Sequence, residues 1–178
     1  MELLDRPAAS AAGAVRAALI ELTRVVDVLQ SGSLDGLDDH EVLAVFQDLE
    51  AQRRRMPTVD HRLITELDCR GTATKLPARG TAGLLTELLH VDVGEAKARV
   101  RAAGVLGPRT SITGEPLDPL YSATAAAQAA ETISEKHTRI VTTIGALPHH
   151  LDEDTVASAE RTLGDPGRGL TTQRPDPP

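Results

Sequence analysis

The residues in this sequence with the clearest capacity for chemistry are cations. Arg53, Arg54 and Arg55 are consecutive, and Lys97, Arg99 and Arg101 alternate along a later segment. Guanidinium and ammonium groups suit phosphate oxygens, which they hold by charge-assisted hydrogen bonds. Three consecutive arginines project in three directions on a helix, so at most two of the first cluster face one partner. The second cluster is the better candidate for a phosphate-facing surface.

The other reactive side chains assemble less well. His40, His61, His90 and His137 are scattered singly, and adjacent His149 and His150 send their rings in different directions. Asp152, Glu153 and Asp154 follow that pair and lend "HHLDED" some likeness to a metal cluster. Acids in the first turn of a helix complement its dipole, however, and that explains them without an ion. Cys69 is the single cysteine, which excludes an internal disulfide and a multi-cysteine zinc site. It stands between Asp68 and Arg70, and its simplest role is that of a small apolar group. Neither a phosphate-binding P-loop, an HExxH zinc motif, a dinucleotide fingerprint nor a nucleophile elbow occurs in the sequence. "RGTAG" at residues 79–83 lacks the preceding strand that a dinucleotide site requires. No acid, base and nucleophile combine into a catalytic set, so enzymatic activity is not expected, and neither a metal nor a cofactor is expected.

Charge distribution sharpens the reading of the cations. The net charge of −7 argues against nucleic acid at first. Residues 1–50 and 111–178 carry −7 and −5, whereas residues 51–110 hold eleven basic and six acidic side chains, net +5. A basic island therefore lies between acidic flanks, either as a solvated helix face or as a surface toward a polyanion. Phe46 and Tyr121 are the only aromatic residues, too few for base-stacking platforms. Any nucleic-acid partner is then duplex and is held electrostatically.

These side chains must be positioned by helices. Val15, Leu19, Leu22, Val26 and Leu29 predict a first amphipathic helix from Ser10 to about Gln30. Asp38 followed by Glu41 has the spacing of a capping box and starts a second, with Val42, Val45, Phe46 and Leu49 on its apolar side. That period continues through Met56, Val59, Leu63 and Leu67 to Gly71, with a kink or break predicted near "RRRMPT" because Pro57 lacks a donor. "AGLLTELL" and a helix capped by Asp92 and stopped by Gly107 form a hairpin with the outline of a helix-turn-helix. His90 occupies its turn, where such motifs favour glycine. "GPRTSITGEPLDP", residues 107–119, has no apolar period and reads as either a functional loop or a connector. An Ala-rich helix follows, then one capped by Ser134 and ended by Pro148, and a last one from Asp152 to Gly164. The expected fold is all-α: one helical domain of six or seven helices over residues 1–164, with a disordered tail over 165–178. The N-terminus has neither a basic leader nor a spanning segment, and the lone cysteine fits a reducing compartment, so a cytoplasmic protein without membrane contact is expected.

Three segments in order, "LEAQRRRMPTVDHRLITELDCRG", "TAGLLTELLHVDVGEAKARVRAAGVLGPRTSITGEPL" and "TAAAQAAETISEKHTRIVTTIGALP", resemble the 13E12 repeat family, or domain of unknown function 222, over roughly residues 34–163. The resemblance implies a helical domain of the kind that precedes an HNH nuclease module in often repetitive, mobile-element-like genes, and hence nucleic-acid metabolism. It also implies that residues 107–119 are a connector. No HNH array of His, Asn and His occurs here, and "GDPGRGLTTQRPDPP" reads as an ending truncated before that module. The leading expectation is a DNA-associated accessory domain that uses Arg53, Arg54, Arg55, Lys97, Arg99 and Arg101 as phosphate contacts. Its rival is a protein-interaction or dimerisation module, a homo-oligomer built on the long second helix and the Ala-rich helix.

Overall fold

The computed structural model describes residues 10–76, 79–144, 158 and 162. Seven helices and one small hairpin are formed among them, which makes the protein all-α in class. The chain divides into two units, one through Phe46 and one from Gln47 onward.

The first unit holds α1 (Ala11–Ser31), whose start is fixed by Ser10 accepting from the Gly13 amide at 3.2 Å. No residue of α1 is buried. Its Val15, Leu19, Leu22, Val26 and Leu29 stripe is open to solvent. α2 (Asp39–Cys69) begins with a reciprocal capping box. The Glu41 amide donates to Asp38 Oδ1 and the Asp38 amide to Glu41 Oε2, each at 2.8 Å.

Pro57 lies inside α2 without ending it, so of the kink or break that its missing donor predicts there is no break. The Thr58 hydroxyl donates to the Arg55 carbonyl at 2.7 Å beside the proline. His61 and Ile64, one and two turns further on, are buried, and that packing holds the segment beyond the proline helical. Gly71 then takes the left-handed conformation (φ 59°) and starts a single-turn helix, α3 (Thr72–Lys75), which no periodicity announces.

The second unit has its core where α2 meets α4 (Gly80–Leu89) and α5 (Val93–Leu106). Ile64, Leu85, Ala96 and Ala103 form one buried cluster, with Leu67, Ala82, Val91 and Val100 packed around it. A second cluster joins Leu106, Tyr121 and Val141 from α5, the start of α6 (Ser122–Ala129) and α7 (Glu135–Ile144). Two alanines in the first cluster bring backbones close together. Gly107 shows how close: a Cβ there would stand 2.5 Å from Thr65 Oγ1, 3.3 Å from the His61 carbonyl, and closer still to the Ala103 carbonyl. The stop of α5 is thus a glycine because α2 passes against it.

The segment 107–119 carries a short hairpin between α5 and α6. Arg109–Thr110 (β1) and Pro116–Leu117 (β2) pair antiparallel, with Arg109 opposite Leu117. Gly114 at φ 90° closes the turn, and Ser111 Oγ accepts from the Glu115 amide at 3.0 Å. Each strand is two residues long, too short to show a period.

Beside Val141, α6 and α7 bury four polar side chains, Thr124, Gln128, Thr138 and Thr142. Thr138 and Thr142 bond back to the Ser134 and Arg139 carbonyls of their own turns. Of the last expected helix, Ser158 and Thr162 are described and are helical. The rest of that helix, Pro148, the "HHLDED" stretch and the tail from Asp165 lie outside the described residues.

Candidate nucleic-acid interface

The candidate surface is carried by the α4–α5 hairpin. α4 is anchored by buried Leu84 and Leu85 and by the Thr81 hydroxyl, which donates to Asp68 of α2. Its last turn ends at His90, which takes the left-handed conformation (φ 55°) normally left to glycine. Two residues later Asp92 caps α5, its Oδ1 accepting from Gly94 N at 2.6 Å and Glu95 N at 3.4 Å. A three-residue turn therefore reverses the chain, as its spacing predicts.

α5 divides its residues by face. Ala96, Ala103 and Leu106 point into the core. Lys97 and Arg101, one turn apart, are exposed on the other side, and neither has an acidic partner among the described residues. Arg99 behaves differently. It ion-pairs with Asp60 of α2 at 3.3 Å and with Glu95 of its own helix, and it is half-buried.

The arginine triplet on α2 divides in the same way. Arg54 Nε donates to Glu50 at 3.0 Å, and its Nη1 reaches the Glu131 carbonyl at 3.4 Å. Arg55 pairs with the Glu131 carboxylate at 3.4 Å. Glu131 sits after α6 in a left-handed turn (φ 64°), which delivers both its acceptors to α2. Arg53 is exposed and has no partner among the described residues. Of the six cations, Arg54, Arg55 and Arg99 have their charge matched locally, whereas Arg53, Lys97 and Arg101 do not.

Sequence reasoning missed the counter-ions Asp60 and Glu131, because they lie 39 and 76 or more positions from the arginines they meet. The spacing of Glu50 to Arg54 and Glu95 to Arg99 is a local signal for the other two pairs. Beside Asp60, His61 is buried, and burial lowers its imidazole pKa, with the Asp60 charge opposing that shift. Among the described residues no group of three histidine, cysteine or carboxylate side chains could hold a metal ion. Cys69 is free and exposed rather than buried. No helix among the described residues is long and apolar enough to cross a membrane.

Comparison with known proteins places this hairpin within a family. The family model described as domain of unknown function DUF222 matches residues 43–174. An uncharacterized protein of Mycobacterium tuberculosis H37Rv is 40% identical over 143 residues, covering 80% of this chain and 30% of its own length. A second protein of that strain, also uncharacterized, is 38% identical over 146 residues, covering 81% and 31%. An uncharacterized protein of Mycobacterium bovis AF2122/97 is 36% identical over 157 residues, covering 87% and 33%. The chain thus spans about a third of the length of the curated relatives it matches. No solved structure matches it. With the match extending from α2 through the α4–α5 hairpin and beyond α7, the chain belongs to the DUF222 family.

Proposed function

We propose that this chain is a DNA-associating helical domain, and that it meets the phosphate backbone through the outer face of α5. The observation that carries the reading is the pair Lys97 and Arg101, exposed one turn apart on the second helix of a tight hairpin, without acidic partners among the described residues. Arg53 is a further uncompensated cation on α2. Arg54, Arg55 and Arg99 contribute less, since a phosphate would have to compete with Glu50, Glu131, Asp60 and Glu95.

Among the described residues no acid, base and nucleophile come together around α5, and in this reading the domain binds without cutting. In this reading the chain is an accessory domain, and an HNH-type nuclease module of the kind the family resemblance implies would do the cutting from outside this sequence. The share of the relatives' length that this chain spans leaves room for such a division of labour.

The test is fluorescence anisotropy of a labelled random duplex over a range of salt. The parent binds at low salt and weakens as salt rises, because cations displace condensed counterions from the phosphates. K97A/R101A lowers affinity at every salt concentration and reduces the slope of log K against log salt by about 2. R54A/R99A changes both much less. A parent that fails to bind at low salt, or a K97A/R101A variant indistinguishable from it, overturns the reading.

A further inference from the structure

α2 is apolar on two sides. One side, with His61 and Ile64, is buried in the second unit. On a second side, about a third of a turn away, Val42, Val45, Leu49, Gln52, Met56 and Val59 follow one another in alternating steps of three and four residues, the spacing of a coiled-coil seam. That seam is only partly covered in the folded chain: Val45, Met56 and Val59 are between 38% and 47% exposed and Gln52 is exposed, with Val42 and Leu49 half-buried. A helix needs only its inner side to dock on α4 and α5. A second seam at strict heptad spacing therefore calls for a second helix.

The charges beside the seam specify which helix. Glu41, Asp48, Arg55 and Arg62 recur every seven residues along one flank, and all four are exposed. Two acids come first and two bases last. A line with that order is complementary to itself when reversed: Glu41 meets Arg62 of a second copy and Asp48 meets its Arg55, twice per dimer by symmetry, Arg55 being shared with Glu131 of its own chain, which it holds at 3.4 Å while its side chain stays 55% exposed. The seam fits the same register, with Val42 against Val59, Val45 against Met56 and Leu49 against Gln52. A parallel pairing would instead bring Asp48 to Arg53 and Arg55 to Asp60 of the second copy, which leaves Glu41 and Arg62 opposite Phe46 and Leu67, and Asp60 is half-buried and already holds Arg99 at 3.3 Å.

We infer that the outer face of α2 is an interface at which two copies of this chain pair antiparallel, with Glu41 and Asp48 of each copy facing Arg62 and Arg55 of the other. Gln52 is the one polar residue of the seam, and such a residue fixes register at some cost in stability. The interface is independent of the phosphate contacts proposed on α5, so either can fail without the other.

Exposed, free Cys69 near the end of α2 supplies the probe. Sedimentation equilibrium of the whole chain gives a dimer that dissociates on dilution. With a nitroxide on Cys69, pulsed dipolar spectroscopy gives an inter-label distance of about 55 Å, since the two sites lie 37 residues apart along antiparallel helices at 1.5 Å per residue. D48R, which places two like-charged contacts in each dimer, raises the dissociation constant roughly tenfold. D48R/R55D restores it to within about threefold of the parent, which a merely structural role for Asp48 would not do. Three results overturn the inference: a chain that stays monomeric at every concentration, leaving the seam to another segment or partner; labels about 10 Å apart, as in a parallel pair; or a double variant no tighter than D48R.

Discussion

Arg99 on α5 and Asp60 on α2 meet at 3.3 Å, so one of the six cations legible as a phosphate ligand is also a tie between two helices of the core. Glu95, one turn before Arg99, holds the same guanidinium from the other side. The fork of an arginine holds two carboxylates in a fixed planar geometry, whereas a lysine would offer its three donors from one compact, rotatable ammonium. Arg99 is therefore better placed to orient α5 than to leave it for a ligand. Lys97 and Arg101, on the face turned away from α2, carry no such obligation.

The strength of that tie is limited by water. The Arg99 and Asp60 side chains are 36% and 46% exposed, and pairs so accessible contribute about 0.2–1 kcal/mol. A double-mutant cycle of Arg99→Ala and Asp60→Ala, read from urea denaturation, gives a coupling energy in that range. Raising salt to 1 M reduces it, as for other solvent-accessible pairs. A coupling several times larger would mean that the pair closes off from solvent in solution.

Two glycines near the end of α5 answer oppositely to the same substitution. Gly107 is buried, and a methyl there meets the Ala103 and His61 carbonyls and the Thr65 hydroxyl; backbone cannot step aside as a flexible side chain can. Gly107→Ala is expected to destabilise by about 2–4 kcal/mol through overpacking and a shift of α5 against α2. Gly104, three residues earlier, has nothing within 4 Å of an added Cβ. Gly104→Ala is expected to stabilise by about 0.5–1 kcal/mol, the backbone entropy that glycine loses in a helix. Thermal melts of the two variants beside the parent check both signs.

What could be read from the sequence follows the range of the interactions. Asp38 with Glu41, and Asp92, act on amides two or three positions away and cap their helices as their spacing predicts, while Ser10, read as the first residue of its helix, is its cap. The three-residue turn at His90 is equally local, although its left-handed backbone is carried by a residue that gains nothing from that conformation. At Pro57 a local rule predicts a kink or a break; the helix does not end there, because buried His61 and Ile64 hold the segment beyond it by tertiary contacts. The hairpin at Arg109–Leu117 has too few residues for a period, and it depends on Ser111 and Gly114 in its turn. The candidate surface was half legible. Lys97 and Arg101 are exposed cations as the pattern suggests, whereas the matching of Arg54 and Arg55 by Glu131 required α6 to fold back toward α2.

His61 gives the fold a dependence on pH whose sign can be worked out. Its side chain is 5% exposed, and burial lowers its pKa below the ordinary 6.5, with the Asp60 charge opposing the shift. In the folded chain the imidazole therefore stays neutral at a pH where the unfolded chain already binds a proton. Stability contributed by neutral His61 is full above about 6.5, and it falls as pH drops from there toward the lowered folded value. In that interval the unfolded state holds up to one proton more, so the slope is at most about 1.4 kcal/mol per pH unit. Urea midpoints measured between pH 8 and 5.5 should be level at the upper end and decline at the lower, above the range where carboxylates titrate. His61→Gln, which keeps a polar group of similar reach but does not titrate, should flatten the curve while lowering it overall. A parent curve that rises toward acid pH would mean that Asp60 outweighs burial and holds His61 charged in the fold.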